Sequence, residues 1–296
     1  MTSNYPAGET LPGASSAPSS RPRQVLKAGS GSASLNLHEI WLYRDLLWAL
    51  AAREIKLRYR QTALGVVWVV IQPIVSAALL AFVFNKVAGL DTGKTPPFLF
   101  SFAGMLIWTA FSTTLSKASS VVVSNAALIS KVYFPRLCLP LSSVPPVLLD
   151  VGVSLVVLGI AMAIFGIVPT FALLLWPLVL LVTLTLALGV SFILASLMVT
   201  YRDVQYILPF VLQLLLFASP IAYPTAHVIS KIPAWADKIY YLNPLVGLLE
   251  ASRYCLVGNG ELNVGALIYS VVVSVIFFAV GMKCFKTLER KFADVI

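Results

Sequence analysis

Side chains that could carry covalent chemistry are few in this chain and far apart. The two histidines, His38 and His227, are separated by most of the sequence, and Cys138, Cys255 and Cys284 lack the close spacing of a zinc or redox site. No carboxylate pair falls in any apolar segment, so general acid–base catalysis finds no partners there. Asp150 is the lone ionisable residue deep in such a segment. An intramembrane carboxylate is a functional candidate by default, and a hydrogen bond between packed helices is its other use. Ala88-Gly89-Leu90-Asp91-Thr92-Gly93-Lys94-Thr95 imitates a phosphate-binding loop, but Ala88 stands where glycine is needed. It also joins two apolar runs rather than a strand and a helix, so a coincidence is expected.

Groups that bind are better represented. Arg53, Lys56, Arg58 and Arg60 lead directly into a stretch with no charge until Lys86. Arginine forks match phosphate oxygens, so the run suits a phosphate at headgroup depth; topology and anionic-lipid contact are the plainer uses. Tyr206, Phe210, Gln213 and Phe217 fall within about 60° of one helical face, with Leu208 and Leu215 opposite. Lipid has no use for an amide, so this stripe should face protein or water, and Trp68, Gln72 and Ser76 form a matching stripe earlier. Lining a conduit and hydrogen bonding between packed helices are the two roles open to both stripes.

Composition decides what must position these groups. Hydrophobic residues make up 59% of the 296 and charged residues 11%, outside the range of soluble domains and expected of an all-α integral membrane protein. The net charge of +9 sits at the ends of apolar runs, which reads as a topology signal and not as nucleic-acid binding. Residues 1–35, rich in Ser, Pro, Gly and Ala, are expected to be a disordered tail without the apolar core of a signal peptide. Residues 36–62 carry two apolar stripes, Leu42, Leu46, Leu50, Leu57 and Trp41, Trp48, Ile55, Tyr59, which suit an interfacial helix, covered by protein or simply anchored.

Residues 63–296 are expected to be a transmembrane domain of six helices, at about 64–86, 98–116, 139–165, 171–199, 204–222 and 262–282. The chain is uncharged from Val151 to Tyr201, about 75 Å as one helix, so it must fold back at Gly166-Ile167-Val168-Pro169-Thr170. Gly152, Gly159 and Gly166 give one smooth face for contact within the chain or with a second copy. Ser119 to Val132 is expected to form a short helix outside the bilayer, and the segment after Pro220 and Pro224 to form re-entrant or interfacial helices. Of the 21 Lys and Arg residues only Lys86, Lys94, Lys231, Lys238 and Arg253 fall on one side, so both termini are expected in the cytoplasm.

Ser130-Lys131-Val132-Tyr133-Phe134-Pro135-Arg136, with Leu139-Pro140-Leu141-Ser142, resembles the cytoplasmic loop of the type-2 ABC transporter permeases that export cell-surface polysaccharides such as O-antigen, capsule and teichoic acid. Four further pieces match in order: Arg58-Tyr59-Arg60-Gln61-Thr62 before Leu64-Gly65, Tyr201-Arg202-Asp203, Ser219-Pro220-Ile221-Ala222-Tyr223-Pro224, and Asn243-Pro244-Leu245. The resemblance implies a non-enzymatic subunit of the bacterial inner membrane that pairs with a second copy of itself. It also implies two separate ATP-binding subunits, which hold the ATP and Mg, and a lipid-linked polysaccharide substrate. On that footing Arg53, Lys56, Arg58 and Arg60 are expected to receive the carrier's diphosphate, and the two aromatic and amide stripes to let a sugar chain slide. Ser124, Asn125, Leu128, Ile129, Lys131 and Tyr133 are expected to couple to the ATPase, because solvent alone gives aliphatics there no reason to be exposed. An exporter of drugs or small lipids with the same fold, and an intramembrane transferase, are the alternatives.

Overall fold

The computed structural model describes residues 41–60, 66–93, 95–131, 134–231, 233–258 and 262–295. The expected tail, residues 61–65, Lys94 and Tyr133 lie outside them, as do the side chains of Arg58, Tyr59 and Arg60. All regular elements among the described residues are helical. In chain order they are α1 (Arg44–Arg60), α2 (Val66–Ala81, widening into a π-turn over Phe82–Val87), α3 (Pro97–Ser124), α4 (Ala126–Ile129), α5 (Cys138–Ser142) and α6 (Val144–Ile164). A 3-10 turn at Phe171–Leu175 leads into α7 (Trp176–Thr200), followed by α8 (Val204–Ala218), α9 (Thr225–Ile229), α10 (Ala234–Tyr241), α11 (Pro244–Val257) and α12 (Val264–Val295).

Local chemistry sets the boundaries. Proline stands in the first turn of α3, α6, α7 and α11, where its missing N–H would have no helical partner anyway. Asn243 caps α11 by accepting from the Leu245 N–H at 3.1 Å, and Gly258 ends it at φ 65°. Gly166, at φ 69°, reverses the chain between α6 and α7 where the uncharged stretch had to fold back.

Among the described residues, five helices are long and apolar enough to cross a membrane: Val67–Val87, Pro97–Ser124, Cys138–Ile164, Phe171–Thr200 and Val264–Glu289. The expected fifth span, 204–222, is shorter than anticipated. Pro220 forces Ser219 into extended backbone at φ −102° and ψ 145°, so α8 stops at Ala218. Its 15 residues reach about 22 Å, less than the roughly 30 Å of hydrocarbon. The short helix expected over 119–132 is also corrected: α3 runs unbroken through Ser124, and only the single turn α4 follows.

α3 is the central helix and packs against α2, α6, α7, α8 and α11, while α12 lies along α7. At the basic end, Leu50 of α1, Ala118 and Val122 of α3, Ile129 of α4, Cys138 and Leu139 of α5, Phe192 of α7 and Phe285 of α12 form one apolar cluster. At the opposite end α11 is wedged among the first turns of α3, α7 and α12: Trp176 Nε1 donates to Ser252 Oγ at 2.9 Å, and Ser270 Oγ donates to Pro244 O at 2.7 Å.

The closest helix contact is between α7 and α12. A Cβ on Gly281 would lie 2.1 Å from Gly189 O, and one on Gly189 would lie 2.5 Å from Phe278 N. The face of Gly152, Gly159 and Gly166 behaves differently, since a Cβ there meets nothing within 4 Å. Among the described residues, therefore, nothing packs against this face, which leaves it open. Gly281→Val should lower the melting temperature of the purified protein by well over 5 °C, because overpacking against backbone costs about 1–3 kcal/mol or more. Gly152→Ala in the same assay should leave it unchanged or raise it slightly.

Candidate functional site

At the basic end α1 turns Leu50 into the cluster, buries Ala51 beside it and leaves Trp48 and Leu57 exposed, with Trp41 exposed just before the helix. It is thus a surface helix covered by protein on one side. Two polar contacts fix it to α3. Lys117 Nζ donates to Glu54 Oε1 at 2.6 Å, and Arg53 Nη2 donates to Asn125 Oδ1 at 2.5 Å. Asn125 in turn donates from Nδ2 to Val121 O at 2.9 Å, closing the end of α3 just before α4.

Arg53, read from sequence as a phosphate ligand, and Asn125, read as a coupling residue, are therefore bonded to each other. Their guanidinium and amide are engaged rather than free. Lys56 is exposed on α1. Ile129 is another correction: at 8% exposure it belongs to the apolar cluster and not to an exposed patch. Leu128 is half-buried, and Ser124, Ala127 and Lys131 are exposed, so the outward surface of this turn is smaller and more polar than its composition implies. Behind it the Arg136 N–H donates to Glu289 Oε1 at 3.1 Å and its guanidinium to Glu289 O, tying the following loop to α12.

The aromatic and amide stripes lie on the outside of the chain. Tyr206, Phe210, Gln213 and Phe217 are exposed along α8, with Leu208 buried and Leu215 half-buried against the bundle. The exposed surface of α8 has a second strip of Ile207, Val211 and Leu214, which is purely aliphatic. On α2, Trp68 and Gln72 are exposed and Ser76 is half-buried. Neither amide is enclosed by the described residues of its own bundle. α2 and α8 both rest on α3, and the end of the π-turn meets the turn after α8 where the Phe84 and Tyr223 rings approach to 5.6 Å.

Sequence reasoning missed one residue. Arg253, counted as an outer-loop charge, is only 4% exposed. Its guanidinium lies 4.2 Å above the Phe100 ring and donates to Leu249 O at 3.3 Å, Tyr223 O at 3.4 Å and Pro220 O. Burial pulls its pKa down to about 10, opposed chiefly by the Glu250 carboxylate, so it stays charged at neutral pH. The available signal was its place, one turn after Glu250 in an otherwise apolar helix. Asp150 is half-buried on α6. The loop imitating a phosphate site uses its own polar groups internally: the Gly93 N–H donates to Asp91 Oδ1 at 2.9 Å, and Thr92 Oγ1 donates to Thr95 O at 2.8 Å.

The profile of the ABC-2 type transporter family matches residues 45–257, from α1 through α11. This chain belongs to the ABC-2 type transporter family. The O-antigen export system permease protein RfbA of Myxococcus xanthus is 32% identical over 263 residues, covering 88% of this chain and 98% of that relative. A protein of the same name from Klebsiella pneumoniae is 26% identical over 256 residues, covering 85% and 95%. The polysialic acid transport protein KpsM of Escherichia coli is 24% identical over 250 residues, covering 82% and 93%. This ABC-2 protein is thus a multi-pass membrane protein of a transporter family, and the resemblance carried by its loop motifs holds along most of its length.

The pair joining α1 to α3 admits a direct check. Glu54→Lys or Lys117→Glu alone should lower the melting temperature of the purified ABC-2 protein, and the double reversal should recover most of the loss. Equal losses for single and double variants would mean that the two charges act separately.

Proposed function

We propose that this protein is the permease subunit of an ATP-driven exporter that moves a lipid-linked polysaccharide out of the cytoplasm. The observation that carries the reading is the similarity to an O-antigen export permease over 88% of this chain, together with aromatic and amide stripes presented outward from one copy of the chain. An amide facing lipid gains no hydrogen bond, whereas one facing a wet lumen exchanges partners with sugar hydroxyls. Two copies with these stripes opposed would enclose such a lumen, with aromatic faces stacking on the apolar faces of passing sugars. The open face at Gly152 and Gly159 is available for close helix contact in the assembled complex.

In this reading α8 completes a sixth crossing together with the turn that follows it, α9 to α11 are re-entrant or interfacial, and both termini are cytoplasmic in a bacterial inner membrane. The excess of Lys and Arg at the end holding α1, α4 and the end of α12 supports that sidedness. Two ATP-binding subunits, holding ATP and Mg, dock against the exposed part of the segment from Ser124 to Tyr133. Lys56, with Arg58 and Arg60, meets the carrier's diphosphate at headgroup depth, and Arg53 contributes through its bond to Asn125.

Two experiments test the parts separately. In a background lacking Cys138, Cys255 and Cys284, single cysteines replacing Gln213 and Phe217 should react with a membrane-impermeant maleimide during transport. Cysteines replacing Ile207 and Leu214, equally exposed on α8 but on its aliphatic strip, should not; equal labelling of the two strips would refute the conduit. Leu128→Asp should abolish co-purification of the ATPase subunit while membrane insertion persists. Retention of the ATPase would place the coupling contact elsewhere.

A further inference from the structure

The turn from Ser219 to Pro224 ends α8 and is held from several sides. Tyr223 Oη donates to Phe217 O at 2.9 Å, so the turn folds back on the last turn of α8. Asn243 Nδ2, at the start of α11, donates to Ser219 Oγ at 2.9 Å. Against α3 the fit leaves no spare room, since a Cβ on Gly104 would lie 2.4 Å from Ile221 O. Arg253 closes the arrangement from α11: its fork reaches the carbonyls of Pro220 and Tyr223 on the turn and of Leu249 on its own helix, with the Phe100 ring of α3 beneath it.

A buried guanidinium carries a desolvation cost of several kcal/mol, and a well-packed apolar side chain fills the same volume without it. Packing therefore does not explain an arginine here. What arginine alone supplies is a rigid planar fork with donors in several directions, able to hold separate carbonyls at once.

We propose that Arg253 is a positioning residue for the translocation path: by clamping the Ser219–Pro224 turn to α11 and α3, it sets the direction of the last turn of α8 and with it the placement of Phe217. The proposal rests on the conduit reading given above. α8 has no helical continuation beyond Ala218, so the orientation of its end is determined by what holds the turn. Phe217 is the stripe residue nearest that turn, and Tyr206 lies at the other end of the same helix. Loss of the clamp should act on the first and spare the second.

The test uses the permease with its ATPase in membranes, in the background without native cysteines, carrying a single cysteine for either Phe217 or Tyr206. Labelling by a membrane-impermeant maleimide is compared between Arg253 and Arg253→Lys. The ammonium keeps the charge but cannot span separate carbonyls, so labelling at 217 should rise roughly fivefold while labelling at 206 stays unchanged. Phe100→Leu, which leaves the arginine in place but removes the ring beneath it, should move 217 in the same direction by a smaller factor. It keeps the proposal open to refutation if the lysine variant does not accumulate. Unchanged labelling at 217, or an equal rise at 206, overturns the positioning role. Failure of the conduit reading itself would appear already with Arg253 present, as equal labelling of the aromatic and aliphatic strips of α8.

Discussion

Apolar side chains gain little by leaving lipid for another apolar surface, so a helical membrane protein is held where backbones can touch and polar groups can reach across. In this chain those places are few. Gly281 meets the Gly189 carbonyl, Gly247 meets the Ala266 carbonyl and Ser270, and Gly104 meets the Ile221 carbonyl. The first joins α7 to α12, the second seats α11 on α12, and the third seats the turn after α8 on α3. The first two assemble α7, α11 and α12, α3 joins them where Ser252 Oγ donates to Ala103 O and Ser191 Oγ to Leu115 O, and the apolar cluster at the basic end then gathers α1, α4 and α5 onto the same frame.

A frame built this way leaves α2 and α8 on its outside. α2 rests on α3 and α6 and α8 on α3 and α7, with Ala77 and Ala81 of α2 and Leu208 and Leu212 of α8 buried. Their remaining surfaces carry the exposed aromatic and amide side chains. Burial divides the helices: Trp176 and Ser252, on helices that hold the fold, are bonded to each other inside, while the two outer helices present amides that the described residues do not enclose. Such surfaces are unfavourable against lipid and useful against water or sugar, which is the physical basis of the conduit proposed above.

Much of this was legible in the sequence, and the exceptions have physical causes. The chain reversal at Gly166 to Thr170 followed from length alone, because no bilayer holds about 75 Å of helix. The stripe on α8 was legible because periodicity separates Tyr206, Phe210, Gln213 and Phe217 from Leu208. The role of the glycines was not. Gly152 and Gly159 have the regular spacing that announces a contact face, yet the contacts are made at Gly189 and Gly281, lone glycines whose partners come from a helix about ninety residues away, beyond any local pattern. Ile129 was misplaced for a similar reason, since a one-turn helix has no periodicity to reveal which of its aliphatics points inward. Arg253 was misread because a charge in a short apolar helix looks the same in sequence whether it faces water or three carbonyls.

The basic end brings two separately inferred functions into one mechanical unit. α1 is bonded to α3 through Glu54 and Lys117, and to the residue preceding α4 through Arg53 and Asn125. A displacement imposed at α4 therefore has two routes into the membrane. One runs along α3, which is rigid and enclosed on most sides. The other runs through Arg53 to α1, which ends at Arg60, six residues before α2 begins at Val66 and eight before Trp68. α3 packs against seven other helices and cannot shift without disturbing all of them, whereas α2 is held on one side and exposed on the rest. Interiors packed at crystal-like density resist small displacements. On the proposed coupling at α4, the softer response is thus motion of α2, which carries the first of the two stripes.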